Sequence, residues 1–297
     1  MKNELPILEC IDHTVSRETF KLIHEVETDM LVTNPQPKIE ELEKYYESND
    51  YISHTDSDKT LLDRVYQSAK KYTVKRKIKL LKKIIKNKKE LQILDIGAGT
   101  GDFLNACKNE NWKVVGVEPN KKARVLAKSK LGILKPNTLT YNDFDPKIYD
   151  SLNDIETNTK FDIITLWHVL EHVPDLENYI KKLQNLLMEH GTLIIAVPNY
   201  KSYDAKHYGK FWAAYDVPRH LWHFSKKTIT YLFNKENMVV TKTLPMKLDS
   251  YYVSLLSEKY KTGKSNPVKA FFIGLLSNLK AIRTKEYSSL IYLIKNK

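Results

Sequence analysis

The residues with the clearest chemical meaning form a glycine-rich segment, Ile93–Phe103 (ILDIGAGTGDF). Three apolar residues and an Asp predict a buried parallel strand, and the glycines after it predict a turn with almost no side chains. At the start of a helix, such a turn lets a nucleotide-like ligand lie against bare backbone. The dinucleotide-binding fingerprint Gly-x-Gly-x-x-Gly is the rival interpretation. It fails in both frames, because its third glycine is replaced by Asp102 or Leu104.

A carboxylate follows at the distance that a ribose partner needs. Glu118 ends a second apolar strand, Val114–Val117, and lies 21 residues after Gly97. An acidic side chain at the end of the second strand can accept hydrogen bonds from both ribose hydroxyls. The alternative is a solvated loop residue. With the glycine loop in place, we favour the ribose role.

A third segment, residues 161–175, contains two histidines and a glutamate. It is predicted to run from a strand into a short helical turn that ends before a proline. Its residues 168–172 spell His-x-x-Glu-His, a zinc pattern that needs a well-formed helix and a distant acidic ligand. The strand before it and the proline beside it argue against that use, so we expect no metal. We expect Leu166 and His168 to flank the ligand of the glycine loop, and His172 to pack or to face a substrate.

These motifs together resemble those of class I S-adenosylmethionine-dependent methyltransferases. Asp-x-Gly-x-Gly-x-Gly at residues 95–101 is similar to their first motif, and residues 161–175 resemble the fourth-strand segment of the UbiE/UbiG-like small-molecule group. The resemblance covers residues 74–245 strongly, and the flanks match a bacterial subgroup loosely. It implies S-adenosylmethionine as the cofactor and a small molecule, a saccharide or a lipid precursor as the methyl acceptor. The expected cofactor-binding residues are Asp95, Gly97, Ala98, Gly99, Thr100, Gly101, Phe103, Glu118, Pro119, Ser151, Leu152, Leu166 and His168.

A long loop, residues 199–225, is expected to form a substrate lid after the fifth strand, because ligands sit beyond the carboxyl ends of strands in such sheets. Its His-Leu-x-x-Phe-Ser pattern at residues 220–225 is similar to one in sugar C-methyltransferases, whose catalytic histidine occupies the position of His220. The resemblance implies that His220 is a general base, a role that suits the near-neutral titration of histidine. The alternative is a structural hydrogen-bond network of Arg219, His220 and His223 under the lid.

Alternating strands and helices predict an α/β, Rossmann-like fold with a seven-stranded, mostly parallel sheet and helices on both faces. The third strand is either 139–143 or 147–152, and the second candidate resembles relatives better. Two helices at 247–286 are expected to interrupt the final antiparallel hairpin. The other expected strands are about 91–96, 113–118, 161–167, 191–197, 238–243 and 288–294.

The domain division is expected at 72/73, with an N-terminal extension (1–72) before the methyltransferase domain (73–297). In the extension, residues 10–13 (Cys-x-x-His) and 25–28 (Glu-x-x-Thr) stand where related methyltransferases often have the two Cys-x-x-Cys knuckles of a zinc ribbon. Glu and Thr make a poor second knuckle, so we expect a metal-free relic of the ribbon. Three tyrosines either cap the cofactor pocket or pack locally: Tyr45, Tyr46 and Tyr51.

The net charge of +12 is concentrated in one predicted helix, because residues 70–89 hold eleven Lys or Arg around an apolar stripe. We favour the solvated face of a packed helix over a surface for anionic membranes or nucleic acid. Two alternatives to small-molecule methylation remain: a nucleic-acid or protein methyltransferase that uses this helix, and a non-catalytic S-adenosylmethionine-binding module. Neither an Asn-Pro-Pro-Tyr-like motif nor a Pro-Cys pair supports nucleobase methylation, so we expect no nucleic-acid partner.

Two cysteines imply no disulfide framework and favour the cytoplasm. The longest apolar run, Ala270–Leu276, is too short to cross a bilayer, although peripheral membrane contact stays open. The oligomeric state is not specified by the sequence.

Overall fold

Alternating strands and helices dominate the computed structural model, which describes residues 5–46, 61–85, 90–133 and 146–297. Within these ranges the strands are β1 (Leu5–Ile11), β2 (Thr19–Glu25), β3 (Met30–Asn34), β4 (Gln92–Ile96), β5 (Lys113–Val117), β6 (Lys147–Tyr149), β7 (Phe161–Trp167), β8 (Leu187–Pro198), β9 (Trp222–His223), β10 (Met238–Pro245) and β11 (Ser289–Asn296). The α-helices are α1 (Ile39–Leu42), α2 (Leu61–Ile85), α3 (Asp102–Lys108), α4 (Lys121–Lys130), α5 (Leu176–Leu186), α6 (Tyr203–Tyr208), α7 (Lys226–Lys235), α8 (Asp249–Thr262) and α9 (Pro267–Thr284).

The central feature is a seven-stranded sheet with the order β10-β11-β8-β7-β4-β5-β6. Strand β4 pairs in parallel with β5 and β7, and β5 pairs in parallel with β6. Strand β11 runs antiparallel to β10. The predicted Rossmann-like sheet is therefore confirmed, including its final antiparallel hairpin. Of the two candidates for the third strand, 147–152 contains β6, and 139–143 lies outside the described residues.

The predicted start of the fifth strand, residue 191, was wrong by several residues. Strand β8 begins at Leu187, directly after α5 ends at Leu186. The apolar residues that end α5 and begin β8 fit helical and strand periodicity equally well, so the pattern alone could not place the boundary.

The chain forms two compact units. One comprises residues 49–166 and 185–193, and the other comprises residues 1–48, 167–184 and 194–297. In the first unit α2 is amphipathic as predicted for its part of the basic segment 70–89, since Ile78 and Leu81 are buried while Lys75 and Lys79 are exposed. Residues 86–89 of that segment lie outside the described residues. Helix α2 runs through position 72, so the division at 72/73, which stays a prediction, would fall inside a helix.

In the second unit a four-stranded antiparallel sheet has the order β1-β2-β3-β9. Its edge strand β9 comes from the long loop 199–225, which no sequence pattern predicted. Leu31 pairs with His223, and the side chains of Cys10, Phe20 and Trp212 share one buried apolar cluster. The N-terminal segment and the loop therefore fold together.

Helices α8 and α9 occupy the predicted insertion between β10 and β11. None of the helices in the described parts of the chain is long and apolar enough to span a bilayer.

Candidate active site

The glycine loop connects β4 to α3 as the sequence predicts. Gly99 and Gly101 have φ angles of +55° and +80°, which side chains rarely adopt. A Cβ atom on Gly101 would lie 2.9 Å from Ala127 of α4, whereas one on Gly99 would meet no atom within 4 Å. Gly101 is thus required for helix packing, and Gly99 borders open space that a ligand can fill.

Glu118 contacts this loop through one carboxylate oxygen and the start of α4 through the other. Its Oε2 accepts a hydrogen bond from the Gly99 backbone N–H at 2.7 Å, and its Oε1 accepts one from the Asn120 N–H at 2.8 Å. The side chain is 8% exposed, and burial raises the pKa of Glu118 despite these bonds. A carboxylate has about four acceptor positions, so two remain for ligand hydroxyls. The structure therefore brings together the two features that the sequence separates by 19 residues.

Asp95 is buried in β4, where its Oδ1 accepts a hydrogen bond of 2.5 Å from Thr165 Oγ1 in β7. Burial raises the pKa of Asp95 to about 7. This side chain ties two strands together at the start of the loop.

Further predicted cofactor residues surround the loop within the same unit. Thr100 Oγ1 donates to Asp102 at 2.8 Å, and Asp102 forms ion pairs with Lys70 at 2.6 Å and Lys130 at 2.9 Å. The Arg124 guanidinium donates hydrogen bonds to the carbonyl oxygens of Glu118 and Pro119 and so fixes the main chain there. The remaining side chains are buried or form caps: Ala98, Phe103, Leu152 and Leu166 are buried, and Ser151 caps a short 3-10 helix.

The second unit contains a cluster of histidines around one carboxylate. Glu171, His172 and His220 each offer a ligand atom within 4.8 Å of the others, the one such group of three within the described residues. Glu171 is 1% exposed, and neither carboxylate oxygen has a hydrogen-bond partner within the described ranges. One carboxylate and two imidazoles are also a donor set that a divalent metal could use. The short 3-10 turn at 170–172 replaces the long helix of the zinc pattern considered above.

One ring nitrogen of His220 is hydrogen-bonded, and the other lies 4.0 Å from the Asp216 carboxylate, beyond hydrogen-bond distance. Its Nδ1 lies 2.9 Å from the Ala214 carbonyl, which places the proton of neutral His220 on Nδ1 and leaves Nε2 as an acceptor. The His172 ring packs edge-on at 4.6 Å. Burial and the charge of His220 lower the pKa of His172 to about 4.

His168 follows β7 with a φ of +58° and is predicted to flank the cofactor, but it belongs to the histidine-containing unit. Its Nε2 lies 3.0 Å from Asp249 of α8, and its Nδ1 lies 3.4 Å from Glu171. Burial disfavours a charged ring, yet Asp249 and Glu171 outweigh it and raise the pKa of His168 to about 10. Sequence reasoning missed Asp249, because no local pattern links residues 81 positions apart.

The contacts of Arg219 and His223 are those of the structural hydrogen-bond network that was considered as the alternative to catalysis. The Arg219 guanidinium binds Asp216 at 2.6 Å and the fully buried Asp12 at 3.0 Å, joining the loop to the segment after β1. His223 Nε2 lies 3.1 Å from Thr33 Oγ1 in β3. These contacts anchor the loop to the N-terminal segment, and no local sequence signal identifies Asp12 as the second carboxylate partner.

The residues singled out in the N-terminal extension are a cysteine and a histidine of the zinc-ribbon-like segment and three tyrosines. Burial raises the pKa of Cys10 to about 12, and the His13 ring stacks on Tyr260 at 4.4 Å. Tyr46 reaches the histidine cluster, with its hydroxyl 2.9 Å from His172 Nδ1, while Tyr45 is buried and bonded to Glu18. Tyr51 lies outside the described residues.

Comparisons with known proteins agree with this architecture. The model of the methyltransferase domain family matches residues 66–243, more than half of the chain. The chain therefore belongs to this family.

Curated relatives include two ubiquinone biosynthesis O-methyltransferases. The one from Pelagibacter ubique is 31% identical over 113 residues, which is 37% of this chain and 43% of the relative. The one from Glaesserella parasuis is 32% identical over 108 residues, or 36% and 45% of the two chains. The matched region thus spans less than half the length of these relatives.

Solved structures share the fold at low sequence identity. Magnesium protoporphyrin IX methyltransferase from Synechocystis, crystallised with SAH, matches with a TM-score of 0.53 and 15% identity over 82% of this chain and 91% of that one. The cyclopropane synthase MmaA2 from Mycobacterium tuberculosis matches with a TM-score of 0.53 and 16% identity over 88% and 99%.

Proposed function

We propose that this protein is an S-adenosylmethionine-dependent methyltransferase that transfers a methyl group to a hydroxyl of a small molecule, a saccharide or a lipid precursor. The observation that carries the proposal is the Glu118 carboxylate held 2.7 Å from the Gly99 N–H beside open space. The names of the curated relatives support oxygen as the acceptor atom. Two free, buried cysteines accord with a cytoplasmic enzyme.

The cofactor supplies a methyl group already activated by the sulfonium charge. The residues of this unit would bind and orient it: Glu118 would accept hydrogen bonds from the ribose hydroxyls, and the open space at Gly99 would leave the backbone accessible to the ligand. Asp95 and Gly101 keep β4, β7 and α4 in the positions that shape the loop. We expect the other predicted cofactor residues of this unit to line the cofactor pocket.

His220 is the residue best suited to take the acceptor proton. His168 is already protonated at neutral pH, since its pKa is about 10. His172 and His223 are weak bases, because their pKa values are about 4 and about 3. His220 Nε2 is an acceptor once Nδ1 donates to Ala214, and the buried Glu171 carboxylate stabilises the imidazolium that forms.

The two alternatives, a nucleic-acid or protein methyltransferase that uses α2 and a non-catalytic S-adenosylmethionine-binding module, have less support. In α2, Lys70 and Lys82 form ion pairs with Asp102 at 2.6 Å and Glu110 at 2.7 Å, as in a helix packed on its own domain. A non-catalytic module would not need a buried carboxylate such as Glu171 within 4.8 Å of the ring nitrogens of His172 and His220.

The test is an acceptor screen. The purified 297-residue chain is incubated with a bacterial metabolite extract and methyl-labelled S-adenosylmethionine. We expect a labelled small molecule that disappears with His220→Ala and persists with the exposed control His190→Ala. Label in RNA or protein alone would favour a nucleic-acid or protein methyltransferase. Binding of the cofactor without transfer of label would favour a non-catalytic S-adenosylmethionine-binding module.

A further inference from the structure

Helix α9 has the reverse of the usual amphipathic pattern. Its small side chains are buried: Ala270, Gly274, Ser277 and Ala281. Its large apolar side chains are 52–68% exposed: Val268, Phe271, Phe272, Leu279 and Ile282. At 3.6 residues per turn these two sets lie on opposite faces, so the helix presents an apolar stripe outward.

The inward face fixes this orientation. A Cβ atom on Gly274 would lie 2.8 Å from the Tyr251 ring of α8, and Ser277 Oγ donates to the buried Asp204 at 2.6 Å. No larger side chain fits at Gly274, and on its flank the ring of Phe271 stacks on Tyr251 at 5.4 Å while the residue stays 53% exposed. The outward stripe is therefore a consequence of the fold and cannot be buried by rotating the helix.

The surroundings of the stripe are cationic. Residues 247–286 contain eight Lys or Arg and three acidic residues. Each of the three acids already has a cationic partner: Asp249 pairs with His168, Glu258 with Lys269, and Glu286 with Lys226. The exposed cations include Lys259, Lys261, Lys264, Lys280, Arg283 and Lys285.

We propose that this α8–α9 face, defined by the apolar stripe of α9 and these cations, docks on an anionic lipid surface. Apolar side chains would enter the boundary between headgroups and acyl chains, and the Lys and Arg side chains would bind lipid phosphates. A second copy of the chain fits less well, because a two-fold contact would bring together rims of the same charge.

Vesicle flotation with the full chain tests the proposal. Vesicles of phosphatidylglycerol with phosphatidylcholine should bind the protein at low salt, and vesicles of phosphatidylcholine alone should bind it weakly. Val268→Glu/Phe272→Glu changes residues that are 68% and 60% exposed, so the fold should persist, which circular dichroism checks. We expect this double variant to lower the bound fraction about tenfold or more.

Matched controls separate this face from other features. Val26→Glu/Ile39→Glu alters equally exposed apolar residues on the N-terminal segment (63% and 68%) and should retain binding. Lys75→Glu/Lys79→Glu removes charge from α2, whereas Lys261→Glu/Lys264→Glu removes it from the proposed rim and should weaken binding more.

Three results would overturn the proposal: full binding by Val268→Glu/Phe272→Glu, loss of binding in the α2 variant alone, or light scattering that shows a dimer broken by Val268→Glu/Phe272→Glu. Binding of S-adenosylhomocysteine is measured in parallel without vesicles. The docking proposal can therefore fail while the proposed methyl transfer stands, and the reverse.

Discussion

At the scale of single residues, the account depends most on His220. Substituting His220 by Ala removes the acceptor nitrogen Nε2, so the rate constant for methyl transfer should fall about 10²–10⁴-fold. Cofactor affinity should change little, because Glu118 and Gly99 lie in the other compact unit. Single-turnover rates and calorimetry on the same preparation measure the two effects. A variant that is fully active would remove His220 from the mechanism, and one that loses stability and cofactor together would make it structural.

The lowered pKa of His223 predicts that the protein becomes less stable in acid. Burial and the charge of His220 lower the pKa of His223 to about 3, below the value of about 6.5 in an unfolded chain. The unfolded state therefore binds the proton more readily, and the free energy of unfolding should fall as the pH drops from about 6.5 toward about 3. His223→Gln retains a donor for Thr33 and should flatten this dependence in urea unfolding measured between about pH 7 and about pH 4.5. The exposed His190→Gln should leave it unchanged, and an equal slope in wild type and His223→Gln would contradict the assignment.

Residues whose role depends on local sequence were predictable, and those whose role depends on distant partners were not. The glycines and Glu118 follow from spacing along the chain, since a strand, a turn and the next strand bring them together. Asp249 and Asp12 gave no signal, because their partners His168 and Arg219 are 81 and 207 positions away. Only the folded chain shows that His220 Nδ1 contacts the Ala214 carbonyl and that His168 lies between two carboxylates.

At the scale of elements, the glycine loop predicts two different phenotypes. Gly101→Ala should destabilise the protein, because its Cβ would lie 2.9 Å from Ala127 at a φ of +80°. Gly99→Val places a branched side chain in open space, so it should cost only the strain of a φ of +55° while abolishing cofactor binding. Thermal melting and calorimetry distinguish these outcomes. If Gly99→Val binds cofactor as wild type does, the ligand does not lie at this loop.

Strand β11 should be indispensable, since it lies between β10 and β8 in the sheet order. Removing residues 287–297 would delete the buried Leu290, Tyr292 and Ile294 and leave a gap inside the sheet. We expect insoluble protein, whereas removing Lys297 alone should be tolerated. Melting of the longer truncation at the wild-type temperature would show that the strand is peripheral.

Most elements of the large sheet were predictable because long apolar strands alternate with amphipathic helices. Strand β9 was not, since its two residues carry no periodicity and depend on pairing with Leu31 and Val32. The start of β8 was misplaced for a related reason, because an apolar run fits either structure.

At the scale of the whole molecule, the proposed tasks are divided between the two compact units. Cofactor residues from Asp95 to Leu166 belong to one unit, and the histidine cluster with its loop and N-terminal sheet belongs to the other. Composition could not predict that division. The early segment 5–46 and the loop 199–225 pair only through long-range contacts such as Arg219 with Asp12.

The most direct test of the central claim is calorimetric titration of the full chain with S-adenosylhomocysteine and, separately, with NAD. The account predicts saturable binding of S-adenosylhomocysteine at one site and none of NAD. It also predicts that Glu118→Ala weakens this binding by about 1–3 kcal/mol, the usual cost of losing a charged hydrogen-bond partner. Tight binding of NAD without binding of S-adenosylhomocysteine, or equal affinity in wild type and Glu118→Ala, would contradict it.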